Sequence, residues 1–187
     1  MSCAKIASGV TFSCPPPPAG VDADQIVLFN WDDVDRDTNT PTKATLTSIS
    51  TLGSPAALGY VYEGVNNSVQ PTYEGIDEGF NPYKFNHNLV FRIFADSDTI
   101  ADLETDLQSG LFVAVYFTKS KRVKVMGWQV GLKATVTRNY FEEDGAALVT
   151  LATKGDEFET AVPLDYVGSA SPTADFETLK AQIIALT

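Results

Sequence analysis

Apolar residues along this chain alternate with polar ones more often than they recur at helical spacing, so strands are the main expectation. The stretch 25–31, QIVLFNW, places apolar residues on both faces, as a central strand does. KATLTSISTL (43–52) alternates with weak two-sided polarity and reads as an edge strand. ALGYVYEGV (57–65), FNHNLVFRIF (85–94), LFVAVYFT (111–118) and LVTLATK (148–154) read as further strands. The run 123–140 reads as two strand segments broken near Gly127 or Gly131. Between them, 66–84 is loop-rich, with SVQPTYE a possible short strand, and DEFETAVPLDYV leads out after β structure.

Two segments switch to helical period. After Ser97 or Asp98 as N-cap, Ile100, Leu103 and Leu107 form one apolar stripe, and Gly110 closes the helix as its C′ residue. This predicts a helix over about 98–109, flanked by strands on both sides. It is read as a cap on an open end or face of a sandwich, with one parallel strand–helix–strand unit as the other possibility. A second helix is predicted over about 172–186, with Pro172 near its first turn and Phe176, Leu179, Ile183 and Leu186 on one face. The fold class is therefore mainly β, a sandwich or barrel of about eight strands with two helices.

The 187 residues suit one domain with a sizeable core. Residues 1–24 read as an N-terminal arm, because CPPPPAG favours polyproline II and cannot enter a sheet interior. Residues 25–187 read as a single β-sandwich domain. Eleven Phe and seven Tyr fit half-buried pleated surfaces. Net charge is −11, and residues 1–80 hold 10 acids against 3 bases. Such a chain repels nucleic acid rather than gripping it through phosphates. No apolar run is long enough to span a bilayer, and MSCAKIASGVTFSC makes a poor signal peptide, so a cytoplasmic origin is expected. Cys3 and Cys14 read as small hydrophobes or as a pair.

Catalytic chemistry needs a constellation, and the sequence offers no match to one. The single histidine, His87, sits between two asparagines on a predicted strand, where a surface or hydrogen-bonded role is the common one. Asp33, Asp35, Asp37 and Asn39 alternate like the opening of a calcium loop, but Thr38 and Ala44 stand where Gly and Glu belong. A crowded acidic turn is the better reading. Lys119, Lys121, Arg122 and Lys124 form the one dense basic patch. It is either a solvated hairpin turn or a docking point for acids such as Asp32, Asp33 or Asp35 of another copy.

The C-terminal half carries a resemblance. The two-cysteine arm, the strand–helix–strand around FRIFADSDTIADLETDLQSGLFVAVYF, the segment GWQVGL and the strand DGAALVTL resemble virion proteins of long-tailed bacteriophages of Bacteroidetes-type hosts. The family it points to is that of tail tube (major tail) proteins. The resemblance implies a β-sandwich or barrel with a flanking helix, no enzymatic activity and no cofactor or metal. It implies homo-oligomeric rings, hexameric and stacked head to tail, that contact other tail proteins. DNA would pass through the lumen without specific binding, and no membrane would be involved. The location implied is the virion tail, after assembly in the host cytoplasm. In this picture the loop 64–84 projects toward the next ring. The CPPPPAG arm and the DDVDRD turn have no counterpart in the pattern. Other readings are a tail terminator, a head–tail connector, a capsid decoration protein, or a carbohydrate-binding β-sandwich in which Trp31 and Trp128 stack on sugar.

Overall fold

A computed structural model of the chain describes residues 21–50, 52, 59–63, 68–76, 84–94, 97–140, 146–155 and 157–168. The described residues are mainly β: ten strands form one mixed, open sheet, with one α-helix against it. The strands are β1 (Val21–Asn30), β2 (Thr45–Leu46), β3 (Tyr60–Glu63), β4 (Gln70–Gly75) and β5 (Phe85–Ile93). They continue with β6 (Leu111–Thr118), β7 (Val123–Met126), β8 (Leu132–Arg138), β9 (Ala147–Thr153) and β10 (Leu164–Tyr166). Helix α1 is Asp98–Ser109, and a single 3-10 turn covers Trp31–Asp33. The arm residues 1–20, with both cysteines, and the helix expected over 172–186 lie outside the described residues.

The sheet branches at β6. On one side β6 pairs antiparallel with β1, and β3 follows β1. On its other side β6 meets two partners: β7 along Ala114–Phe117, and β8 at Leu111 and Phe112 alone. One leaf then runs β7–β10–β2, and the other runs β8–β9–β5–β4. All pairings are antiparallel except that of β10 with β2. The strands on either side of α1 are therefore not a parallel pair, since β5 lies between β9 and β4.

Alternation along β6 explains the branch. Phe112, Ala114 and Tyr116 face one core, which β8, β9, β5 and α1 also fill; Val113, Val115 and Phe117 face a second. β1 splits the same way, with Ile26 and Leu28 in the first core and Val27 and Phe29 in the second. The second core is closed by Leu46 of β2 and Leu164 of β10 together with Val34 and Trp128 from turns. Both tryptophans are placed by turns, Trp31 in the 3-10 turn and Trp128 between β7 and β8, not within strands as sequence reasoning had them.

Helix α1 has the expected bounds. The Ser97 hydroxyl accepts the Ile100 N–H at 3.3 Å, which satisfies one orphan donor of the first turn. Leu107 is buried and Ile100 and Leu103 lean on the first core. The stripe therefore seals the core beside β8, where Arg138 pairs with Glu104. Gly110 ends the helix but has φ −94°, so it is not the left-handed C′ residue expected. Its lack of a side chain matters because a Cβ there would lie 2.7 Å from the Phe112 ring.

The predicted strand 43–52 shrinks to Thr45–Leu46. Its alternation supplied no continuous apolar face: Leu46 and Ile49 are its packed residues, three apart, so the chain must turn between them. Within the loop expected over 64–84, the short strand read at SVQPTYE is present as β4, paired with β5 along its whole length. Residues 64–67 and 77–83 lie outside the described set. Pro71 fits this strand for a definite reason. Ile76 N–H bonds the Lys84 carbonyl at 2.9 Å, so Glu74, Thr72 and Gln70 take the bonds to β5 by alternation. Pro71, Tyr73 and Gly75 then aim their backbone groups at the outer edge, where a missing N–H costs the ladder nothing.

The two faces of β9 give a direct test of this architecture. Leu151 is fully buried and Leu148 is 39% exposed. Leu151→Ala is expected to cost about 3 kcal/mol in urea unfolding, and Leu148→Ala less than about 0.5 kcal/mol.

Candidate functional site: two charged turns on one ladder

The sequence singled out one basic and one acidic cluster, and the β1–β6 ladder fixes where each lies. β1 and β6 run antiparallel, with Asn30 opposite Phe112 and Val21 opposite Thr118. The basic hairpin turn that follows β6 is thus at the Val21 end. The acidic turn that follows β1 is at the Asn30 end. β6 has eight residues, so the two turns are separated by roughly 25 Å along the sheet.

At the basic end, the turn is a tight hairpin between β6 and β7. Thr118 N–H bonds the Arg122 carbonyl and Lys121 N–H bonds the Thr118 carbonyl. Lys121 takes φ 56°, the left-handed position of the turn, which a non-glycine residue adopts only where the surroundings hold it. Lys119 and Lys121 are exposed at the tip. Lys124 and Arg122 are engaged within the chain: Lys124 Nζ lies 2.8 Å from Asp165 Oδ1, and Arg122 Nη1 lies 3.4 Å from Asp165 Oδ2. Lys124 and Asp165 are register partners on β7 and β10, so cross-strand geometry makes this pair. Sequence reasoning missed Asp165, because nothing in it showed that β10 returns beside β7.

At the acidic end, Asp32 is exposed in the 3-10 turn, while Asp33 accepts the Asn30 side-chain N–H at 2.9 Å. Asp35 Oδ1 accepts the Thr38 N–H at 3.0 Å, which holds its carboxyl below the usual range. Asn39 is buried and donates to the Asp35 carbonyl and to the Ser50 hydroxyl, both at 2.6 Å. The alternating Asp/Asn series thus serves turn closure, and Arg36 lies 3.5 Å over the Trp31 ring. Among the described residues, no group of three or more His, Cys, Asp or Glu side chains is placed to hold a metal ion.

His87 is not poised as a base. It is 2% exposed, and both ring nitrogens meet backbone groups, Nδ1 with Gly127 N–H at 3.3 Å and Nε2 with the Ala161 carbonyl at 3.0 Å. Burial pushes its pKa down to about 4. The expectation of a hydrogen-bonded histidine holds, although the site is interior rather than surface. Glu159, which no sequence signal marked, is equally buried, and its carboxylate accepts the N–H groups of Gln129 and Val130 at 3.0–3.1 Å. Burial raises its pKa against the opposing pull of those two bonds.

Two edges of the sheet complete the surface. Among the described residues, β4 and β3 end the paths on which they lie, with no strand beyond either. Each carries a large exposed aromatic, Tyr73 at 56% and Tyr60 at 55%. No helix among the described residues is long and apolar enough to cross a membrane. No protein-family model, curated protein or solved structure matches the chain.

Glu159 offers a measurement of how much its fastening matters. Glu159→Ala leaves the Gln129 and Val130 N–H groups without their charged acceptor and is expected to lower stability by about 2 kcal/mol, read by thermal or urea unfolding at neutral pH.

Proposed function

We propose that this protein is a structural, self-assembling part of a virion, a tail tube subunit whose rings stack head to tail. The observation that carries the reading is the charge arrangement on the β1–β6 ladder. Lys119 and Lys121 stand at one end, and Asp32 and Asp33 follow the other. A surface that offers one sign at its top and the other at its bottom complements a second copy in the same orientation. That is a heterologous contact, which repeats along an axis instead of closing into a dimer. The edges of β3 and β4, which no described strand covers, add lateral surfaces, since edge strands expose backbone groups able to pair with another chain. Excess acid elsewhere on the chain suits a part past which DNA slides without sticking.

Electron microscopy across a concentration series tests the reading. Long tubes of uniform width with a central channel are expected. Isolated rings would favour a terminator or connector, and persistent monomers would favour a decoration or sugar-binding module. The charged turns have their own test. Lys119→Glu with Lys121→Glu is expected to reduce assembly at least tenfold at low salt, with a smaller effect at 0.5 M salt, where the Debye length is about 4 Å. Asp32→Lys with Asp33→Lys in the same chain is expected to restore it.

A further inference from the structure

The first core is open at one end. Leu28 lies opposite Tyr60 and Ile26 opposite Tyr62, so both tyrosines of β3 share the face that β1 turns to this core. There they meet the last turn of α1 around a cleft of about 380 Å³. Leu103, Leu107 and Phe112 make its apolar floor, and the exposed residues Asn30, Asp106 and Ser109 its polar rim.

The charge at this mouth is one-sided. Asp106 is its charged side chain, and no Lys or Arg lines it among the described residues. The last turn of α1 carries no basic residue. Gly110 is extended, at φ −94° and ψ 172°, so no left-handed cap folds over the final carbonyls, the negative end of the helix dipole. Tyr60 and Tyr62 add ring faces, which attract cations. Burial first, then Tyr60 and Asp106, push the Tyr62 phenol up to about 12, so that ring stays neutral beside the carboxylate.

An apolar floor under a negative rim fits an ammonium on an aliphatic stem. The stem covers Leu103, Leu107 and Phe112 while the head stays at the rim, between Asp106 and the rings. The chain itself carries that group. Lys119 and Lys121 are exposed at the β6–β7 tip and make no ion pair among the described residues, unlike Arg122 and Lys124, which Asp165 holds. The tip lies at the end of the β1–β6 ladder where Val21 meets Thr118, and the mouth at the end where Asn30 meets Phe112. Within one chain the two are roughly 25 Å apart, beyond the reach of a lysine. Between two copies stacked in one orientation they come to the same junction. The mouth is also continuous with the acidic turn, since the Asn30 side chain donates to Asp33 at 2.9 Å.

We propose that the mouth formed by Tyr60, Tyr62 and Asp106 is a socket for a lysine of the next copy, supplied by its Lys119–Lys121 tip. The inference rests on the head-to-tail reading and gives it a specific receptor: Asp32 and Asp33 steer the tip, and the mouth seats it.

Carbodiimide coupling tests the seat directly, because it joins a carboxylate to an amine only where the two touch. A mixture of ¹⁵N-labelled and unlabelled chain is treated at the concentrations used for microscopy, and joined peptides are identified by mass spectrometry. The expected product links Asp106 to Lys119 or Lys121 across chains and disappears in Asp106→Asn. Tubes without that link overturn the socket and leave the assembly reading standing, whether or not Asp32 or Asp33 is linked. The link in a sample that forms no tubes keeps the socket and overturns the tube. Absence of both overturns both. The ring has its own test. Tyr60 is 55% exposed, so substitution there does not disturb the core. Tyr60→Leu keeps an apolar side chain without a π face and is expected to raise the concentration needed for assembly about threefold, whereas Tyr60→Phe leaves it unchanged. Equal behaviour of the two variants overturns the role given to the ring.

Discussion

Everything in this molecule hangs on a strand that is apolar on both faces. LFVAVYF in β6 gives each of two cores three large or close-packed side chains. A strand of that kind cannot lie on a surface; burying both faces gains roughly 25 cal/mol for each Å² of apolar area removed from water. The chain answers by covering β6 differently on its two sides. One side receives the leaf β8–β9–β5–β4 and helix α1. The other receives the short strands β7, β10 and β2 together with irregular chain, the turn at Val34 and the Trp128 turn. The branch in the sheet follows from the same demand, because β8 joins β6 only at its first two residues and then leans away to enclose the first core.

Irregular chain is a demanding cover, since its backbone polar groups must find partners without a ladder. The second core therefore comes with a set of buried polar fastenings that a two-sheet sandwich would not need. Asn39 ties the acidic turn to Ser50, and Glu159 and His87 tie the segment between β9 and β10 to the β7–β8 turn. Asn39 and His87 were weighed for chemistry in the sequence and Glu159 was not, yet each meets backbone or a neighbouring hydroxyl. The buried histidine and the buried acid are explained by what they hold together.

Much of the fold was legible from the sequence. The strands QIVLFN, FNHNLVFRI and LFVAVYFT and the helix with its Ser97 cap were legible because their apolar periodicity is strong and their ends carry turn chemistry. The break near Gly127 or Gly131 was legible because glycine suits turns, and both glycines do adopt positive φ. KATLTSISTL misled because Thr and Ser alternate in it without a face to bury. β10 stayed hidden because three residues are too short for a period, and its pairing with β7 and β2 is set by tertiary packing alone. The candidate residues Lys119 to Lys124 and Asp32 to Asp35 were legible as clusters. Their placement at opposite ends of one ladder was not, because it depends on the pairing of strands 80 residues apart.

Pro71 carries a consequence beyond its own strand. A chain approaching the outer side of β4 meets the carbonyl of Pro71 but no donor beside it, and can form an uninterrupted ladder only past that point, along Tyr73 and Gly75. Long cross-β stacking, which needs every backbone group of a flat edge, is thereby interrupted at its first step. The edge thus carries a bias against fibrous aggregation: partial, register-specific pairing remains open, and indiscriminate growth does not.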